Sequence, residues 1–511
     1  MCWRRMETFR ENPANKSRMM KPLLKWILIG VASVASFAAT DETSKTKRAV
    51  SSEAVSLGDA HKGTLEIDLK MLNQFLVQPQ EMQDFYTACR AALAGGKPDE
   101  EMAAISRKVK RLKLGGPMLG DITESSVAIW LYLPEPANVR ASVIPEAGGP
   151  AKSFSANTTN RLLSVPCDGL MPDTAYTYEV MDSSKNLLGK GRFVTAPAKR
   201  SETSFRLAFG SDFHKIGLHR PELMRLIQER GNRALLLIGD LAVDDRGNDV
   251  ALIKADYLLR DLSPFWQQLA ANVPIYAAWD DHDYFGDDKS GAISAGRKPI
   301  EVEKLRQIWK EQWNNPERTA ARAGIYFQTR IGPVHYIALD SRSCRVNDQR
   351  GKLNSFLGET QMTWLKQQLR ESTAPYILVS CGTMWHDHIT AGKDTWGTWD
   401  TQGREELFQV IDQKKEAKVI LLSGDRHGAR GFVIPRPGNR KIYEFEAGTL
   451  GGVPGPEAYG PDRTDQLFGY PGKNTWAFGE FTFETVGGQP QVTFRLINET
   501  GAELESVIVG K

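Results

Sequence analysis

Four apolar runs in this 511-residue chain end in residues that can hold a cation or move a proton. Leu207-Ala208-Phe209 runs into Gly210-Ser211-Asp212-Phe213-His214, and Ala234 to Ile238 runs into Gly239-Asp240. Pro274 to Trp279 runs into Asp280-Asp281-His282-Asp283, and Val419 to Leu422 into Ser423-Gly424-Asp425-Arg426-His427. Hard carboxylates mixed with borderline imidazoles suit a divalent or trivalent transition metal. Taken singly, each has a plainer explanation. A Gly-Asp after a strand is usually a turn, Asp212 could cap a helix starting near Leu218, and Asp425-Arg426-His427 could be a surface ion cluster. Asp280-Asp281-His282-Asp283 resists such an explanation, because three carboxylates around one imidazole repel one another unless a cation or solvent sits among them. Four such clusters, each closing a strand, point to one shared site.

Such residues meet only if the strands that carry them lie side by side with their carboxyl ends at one rim, where sites of α/β sheets assemble. From about residue 203 onward, apolar strands alternate with helical stretches, which predicts a layered α/β domain over 203–511. Before it, 115–197 is rich in β-branched and aromatic runs separated by Pro, Gly and Asp. Strands are expected over Ser126–Tyr132, Arg140–Ile144, Ala175–Val180 and Arg192–Thr195. The stretch Leu170-Met171-Pro172-Asp173-Thr174-Ala175-Tyr176 resembles the tyrosine corner of fibronectin III-like sandwiches, in which a Tyr hydroxyl fastens a turn to its strand. This β-sandwich is expected to carry no chemistry of its own.

Residues 40–114 read as a linker, over 41–60, followed by a helical segment from about Leu65. Leu69, Leu72, Phe75 and Leu76 share one helix face, Gly95 to Asp99 breaks the pattern, and Met102 to Val109 resumes it. The segment is expected to be a helical cap with no part in a site.

The order D-x-H, G-D, [N/D]-H-[D/E], G-[H/D]-x-H resembles the calcineurin-like metallophosphoesterases. Finer motifs resemble one branch, the PhoD-like alkaline phosphatases and phosphodiesterases. Trp279-Asp280-Asp281-His282-Asp283 is similar to W-D-D-H-E, and Ser423 to His427 to S-G-D-x-H. Leu339-Asp340-Ser341-Arg342 is similar to L-D-T-R, and Leu357-Gly358-Glu359-Thr360-Gln361 with Trp364-Leu365 to L-G-x-x-Q-x-x-W-L. Trp399-Asp400 with Arg404 falls on a W-D…R segment. The resemblance spans about 115–500 and implies a four-layer metallophosphoesterase sandwich. Two positions depart from it. Asp212-Phe213-His214 replaces the branch's usual G-S-C-x, and Val243 stands where G-D-x-x-Y-x-D has its Tyr, which argues against a purple tyrosinate–iron site.

The resemblance also implies roles. Asp212, His214, Asp240, Asp281, Asp425 and His427 would hold two divalent or trivalent ions (Fe, Mn, Zn or Ca), with Asp240 bridging them. His282 would be the proton donor, its pKa raised by the carboxylates around it. Arg342, with Arg345, is placed either to grip substrate phosphate or to pair with Asp340. His386 and His388, beyond the strand Tyr376–Ser380, are further ligand candidates, although several residues past the superfamily's position. The glycine-rich run Gly448–Gly472, with Tyr459, Phe468 and Tyr470, reads as a loop over the site.

Composition narrows the class. With 41% hydrophobic and 25% charged residues, the chain is neither disordered nor a multispan membrane protein. The formal charge of +3 is too small for a nucleic-acid footprint, and it belongs to the leader. Residues 1–39 hold seven basic and two acidic residues, so the remainder is slightly acidic. A basic stretch, the short apolar run 26–39 and small residues before Thr40 read as a secretory signal, with Met19 or Met20 a better start than Met1. Once that signal is cleaved no membrane span is expected, although an uncleaved leader would anchor the protein. The four later cysteines make no disulfide framework. The reading is a secreted or periplasmic, metal-dependent phosphoesterase acting on a small-molecule, lipid or nucleotide phosphoester. It has one rival, a secreted binding protein with a degenerate enzyme domain.

Overall fold

The computed structural model describes residues 55–157, 159–247, 249–291, 299–316, 324–387, 394–453, 455, 464–471 and 475–510. The leader, most of the expected linker, His388 and Tyr459 lie outside them.

Four helices come first. Helix α1 (Leu57–Lys62) starts at Ser56, whose hydroxyl accepts from the Asp59 amide, and ends at Gly63, whose φ of +58° reverses the chain. Residues 57–60, expected to be linker, are therefore helical. Helix α2 (Leu65–Leu72) is capped by Thr64, and α3 (Gln80–Leu93) and α4 (Pro98–Lys108) follow across the expected Gly-Pro break. Phe75 and Leu76, expected on the face of α2, lie beyond its end, and Leu76 is exposed. Met71, Phe85, Tyr86, Cys89 and Met102 bury the inner face.

Seven strands then form two antiparallel sheets. One has the order β1 (Gly115–Gly120), β2 (Val127–Tyr132), β5 (Leu162–Cys167). The other has the order β4 (Lys152–Ala156), β3 (Val139–Pro145), β6 (Ala175–Asp182), β7 (Leu187–Val194). The expected tyrosine corner is there, with the Tyr176 hydroxyl accepting from the Met171 amide at 2.8 Å. Strands β1, β4 and β5 escaped the sequence pattern, β1 because it is half glycine and β4 because it is largely exposed and polar.

The remaining chain builds two mixed sheets. The first has the order β10 (Ile275–Ala278), β9 (Leu235–Ile238), β8 (Phe205–Gly210), β18 (Ala477–Val486), β19 (Gln489–Asn498), β20 (Glu503–Ile508), with β8, β9 and β10 parallel. Helices α5 (His214–Gly217), α6 (Pro221–Glu229), α7 (Val250–Leu262) and α8 (Pro264–Ala270) connect those three; α9 (Asp281–Tyr284) and α10 (Pro299–Gln312) follow. The second has the order β11 (Phe327–Ile331), β12 (Val334–Ala338), β13 (Tyr376–Ser380), β14 (Lys418–Ser423), β16 (Arg440–Ala447), β15 (Gly428–Arg436), β17 (Gln466–Pro471). Here β12, β13, β14 and β16 are parallel. Phe468 and Tyr470 belong to β17, so that part of the expected loop is strand, and Phe468 is buried.

Alternation within these apolar strands serves two cores. Tyr336, Leu378, Ile420 and Leu422 join the core that faces the first sheet, where Phe445 stacks on Phe494 at 4.1 Å. Ile337, Ile377, Val379 and Leu421 point outward to Leu365 and Leu369 of α11 (Gly358–Glu371) and Leu407 and Phe408 of α12 (Trp396–Asp412). Strands covered on both faces read as continuous hydrophobic runs, and each fully buried Phe or Leu contributes about 2 kcal/mol. Among the described residues no helix is long and apolar enough to cross a membrane.

Candidate metal centre

The parallel strands of both sheets deliver their carboxyl ends to one rim, so the loops after β8, β9, β10, β12 and β14 converge. Their backbones are held by one another: the Asp212 amide donates to the Gly239 carbonyl at 3.1 Å and the His214 amide to the Asp240 carbonyl at 2.8 Å. Gly239, at φ +98°, lets the second loop pass against Asp280, where a Cβ would come within 2.5 Å of that residue's own Cβ. Gly448 does the same for Asp212, whose carboxylate would lie 2.4 Å from an added Cβ. Asp212, His214, Asp240, Asp425 and His427 all take left-handed φ values between 47° and 77°. Such geometry in non-glycine residues clusters at functional sites.

Asp212, His214, Asp240 and His427 each offer one ligand atom, and those atoms all lie within 4.8 Å of one another. The His214 and His427 rings stack at 4.9 Å, and His427 Nε2 stands 3.8 Å from Asp212 Oδ1. Asp240, Asp281 and His282 form an overlapping group, and Asp280, Asp281 and Asp425 a third. Asp212 Oδ1, His214 Nε2, Asp240 Oδ2 and Asp281 Oδ1 are buried with no hydrogen-bond partner among the described residues. Unpaired buried carboxylate oxygens are costly. Three of them and an imidazole nitrogen, aimed at one another's neighbourhood, form a donor set that a hard or borderline cation satisfies.

The other atoms of these side chains are held firmly. His214 Nδ1 donates to Asp244 Oδ1 at 2.9 Å, which leaves Nε2 for a ligand bond. His427 Nδ1 donates to the Val453 carbonyl at 3.0 Å, and burial pulls its pKa down to about 4, so it is a neutral ligand-ready imidazole at neutral pH. Burial pushes Asp240 well above the usual carboxylate range, and the Asp281 charge adds to it. His282 Nδ1 donates to Asp245 Oδ1 at 2.7 Å. Burial works against its charge, yet Asp240, Asp281 and Asp245 together raise it to about 12. That is the direction expected from its sequence neighbours.

Asp283 faces away from this group. It accepts from the Leu241 amide at 3.0 Å and from the Asp280 amide at 3.4 Å, tying the Gly-Asp loop to α9. Asp340 accepts from the Trp279 indole at 2.9 Å and from the Ser343 amide at 2.8 Å, which locks the two family motifs together.

Arg342 is wholly buried, and its guanidinium forks onto Asp280, with Nη2 2.8 Å from Oδ2. The same nitrogen reaches Asp425 at 2.9 Å and lies 3.5 Å from Asp281. Its partners are therefore carboxylates of the site rather than the Asp340 side chain. Arg345 is held by the Ser341 carbonyl at 2.6 Å, by Thr383 and by Asp394. His386 lies apart from these groups, on Asp465 at 2.7 Å and stacked on Phe432; His388 is outside the described residues. Val243 is buried and apolar.

Three site residues went unread in the sequence. Asp244 and Asp245, adjacent in the chain, each steady a different imidazole, and their doubling after Gly-Asp was the available signal. His61, on α1, places its ring 5.1 Å from that of His282 and its Nδ1 3.2 Å from Asp245 Oδ2. The helical segment is therefore more than a cap. Nothing in the local sequence around His61 marks it.

Comparison with known proteins agrees with this arrangement. Residues 251–453 match the family described as PhoD-like phosphatase, and residues 110–190 match a domain of unknown function, DUF7800. No curated protein matches by sequence. A solved structure of PhoD superposes with a TM-score of 0.58 at 16% identity, covering 78% of this chain and 92% of that one. Purple acid phosphatase PPD1 from yellow lupin (Lupinus luteus) seeds gives 0.56 at 13% identity, covering 77% and 73%. At such identities these likenesses establish the fold: a mixed α/β domain with β-sheets and helices before it. The family match takes in the strand-end motifs at Asp280–Asp283 and Ser423–His427, so residues 251–453 are similar to the PhoD-like phosphatase family.

Proposed function

We propose that the protein is a metal-dependent phosphoesterase that hydrolyses organic phosphomonoesters, phosphodiesters or both. The observation that carries this reading is the convergence at the strand ends of buried Asp212, His214 and Asp240 ligand atoms that lack hydrogen-bond partners among the described residues, with Asp281 beside them. One ion would be held by Asp212, His214, Asp240 and His427, and a second by Asp240 and Asp281, with Asp425 in reach. Bound ions of this kind neutralise phosphate charge and acidify water near neutral pH.

The chain's own side chains supply the rest. Asp244 holds the His214 ring so that its free nitrogen faces the ligand cluster. His282, steadied at Nδ1 by Asp245, keeps Nε2 to protonate the leaving oxygen as the ester bond breaks. Cations beside Asp240 and Asp281 would cancel much of the field that raises the His282 pKa, bringing it toward a value from which a proton can leave. Arg342 holds Asp280, Asp281 and Asp425 in register. Its Nη1 is buried, 3.9 Å from Asp394 Oδ2, so its part is to hold the carboxylates rather than to touch substrate.

The layered domain and the sheet pair before it are read as a four-layer metallophosphoesterase sandwich behind a fibronectin III-like sandwich. Export through the 1–39 leader belongs to the same proposal, and the mass of the mature secreted chain tests it. The activity is tested on nitrophenyl phosphate and bis-nitrophenyl phosphate, after chelation and after adding back Mn, Zn, Fe or Ca. Wild type is expected to lose activity with chelator and regain it with at least one metal, and Asp240→Ala to stay at least about 10³-fold lower. Equal inactivity of both proteins under every metal would overturn the proposal.

A further inference from the structure

We propose that His61, delivered by the N-terminal helical segment, is a positioning residue of this centre: it holds the Asp245 carboxylate against His282. This rests on the phosphoesterase reading. His61 lies far from the strand-end motifs and outside the family match over 251–453. Yet the two oxygens of Asp245 are divided between two imidazoles, Oδ1 at 2.7 Å from His282 Nδ1 and Oδ2 at 3.2 Å from His61 Nδ1. The Asp245 amide also donates to the His282 carbonyl at 3.2 Å. His61 Nε2 is buried with no hydrogen-bond partner among the described residues.

The backbone around His61 is fixed by the neighbours of the residues it serves. Arg246, next to Asp245, donates to the carbonyls of Ala60 at 3.0 Å and His61 at 2.9 Å and pairs with Asp256 at 2.7 Å. Gly63 leaves room for that guanidinium, since a Cβ there would stand 2.9 Å from its central carbon. Lys215, next to His214, is wholly buried between Asp256 at 3.0 Å and Asp68 of α2 at 3.2 Å. Burying charges this completely costs desolvation that apolar packing would avoid, and its attested return is a unique register. Here the register it sets is that of α1 and α2 against the loops carrying His214 and Asp245.

A carboxylate with a single partner can swing about its side-chain bonds, and the imidazole it steadies loses its orientation. With Oδ1 bonded to His282 and His61 Nδ1 set 3.2 Å from Oδ2, Asp245 is confined, and its partner His282 keeps one tautomer and one direction. Losing such outer support typically lowers affinity or activity about 10-fold to 100-fold.

The test uses the full chain as wild type, His61→Ala, His61→Asn, Asp245→Asn and the His61→Ala/Asp245→Asn double variant. Each is assayed on phenyl phosphate, which needs its leaving oxygen protonated, and on nitrophenyl phosphate, which needs it far less. His61→Ala is expected to lower kcat on phenyl phosphate about 10-fold or more, to change nitrophenyl phosphate turnover less than about 3-fold, and to leave KM unmoved. His61→Asn, which keeps an N–H near the Nδ1 position, should recover most of the loss, and the double variant should be no slower than Asp245→Asn. In metal-free, ¹⁵N-histidine protein, the His282 Nδ1–H resonance, assigned by its absence in His282→Asn, should shift or broaden in His61→Ala. Equal losses on both substrates, or no loss, with the resonance unmoved would overturn the inference. Should His61→Ala fail to fold, His61→Phe keeps the ring volume without the nitrogens and takes its place. Wild type inactive with every metal, but with the His282 resonance moved by His61→Ala, would sink the phosphoesterase reading and leave the positioning role standing.

Discussion

The two halves of the strand-end site solve the same electrostatic problem in opposite ways. The cluster of Asp212, His214, Asp240 and His427 contains no arginine or lysine, its nearest counter-charge is the His282 imidazolium beside Asp240, and three of its ligand atoms are left without hydrogen-bond partners among the described residues. Around Asp280, Asp281 and Asp425 a buried guanidinium is already in place, with Arg342 reaching all three carboxylates. Despite its burial, Asp281 is held well below the usual carboxylate range by Arg342 and His282, whereas burial pushes Asp240 well above it and also raises Asp280 and Asp425. Carboxylates alone do not distinguish a metal site from a salt-bridge cluster. What distinguishes them is whether the protein supplies the counter-charge.

Arg342→Met attacks the comparison most directly, because it removes the internal cation and leaves buried carboxylates unpaired. The variant is expected to lose about 3–5 kcal/mol of stability, and saturating Mn or Ca should restore part of the lost thermal midpoint. A midpoint unmoved by the substitution would mean that the second half does not depend on its guanidinium. On the other half, Asp244→Asn should weaken metal binding about 10-fold to 100-fold, read by titration calorimetry with Mn or Zn, while turnover at saturating metal stays closer to wild type. Unchanged affinity would show that the His214 ring needs no outer carboxylate.

The smallest effect is expected at Asp283, which joins the halves. Burial pushes its carboxyl up to about 8 against the hydrogen bonds it accepts from the Leu241 and Asp280 amides. A carboxyl whose folded pKa exceeds its unfolded one of about 4 binds more protons when folded. Its share of stability is therefore present at low pH and lost as pH rises from about 4 through 8. Asp283→Asn cannot titrate, so its deficit relative to wild type should shrink by about 2–4 °C in Tm between pH 5 and pH 9. A deficit constant with pH would contradict this.

Much of this was readable beforehand because strand-end chemistry is local. Strands β8, β9, β10 and β14 are short apolar runs, and the loop residues that matter sit within a few positions of their ends. The tyrosine corner was legible for the same reason. What stayed hidden depends on pairing across the chain. Arg342 could be read as facing phosphate or Asp340, and only the fold brings Asp280 to it from about sixty positions away. His386 had the right strand before it, but its ring turns to Asp465 and Phe432. His61 was invisible because its partner, Asp245, is 184 positions distant, and a histidine at the end of a six-residue helix carries no periodic signal.

The left-handed backbone of the site has an evolutionary consequence. Asp212, His214, Asp240, Asp245, Asp425 and His427 all hold φ values that glycine or asparagine would adopt at less cost. At about 1 kcal/mol or more apiece, the folded chain forgoes several kcal/mol to keep side chains there. A lineage released from selection for activity would gain stability by drifting toward glycine or asparagine at these six positions. Their joint presence as aspartate and histidine is what the proposed metal chemistry requires of these positions.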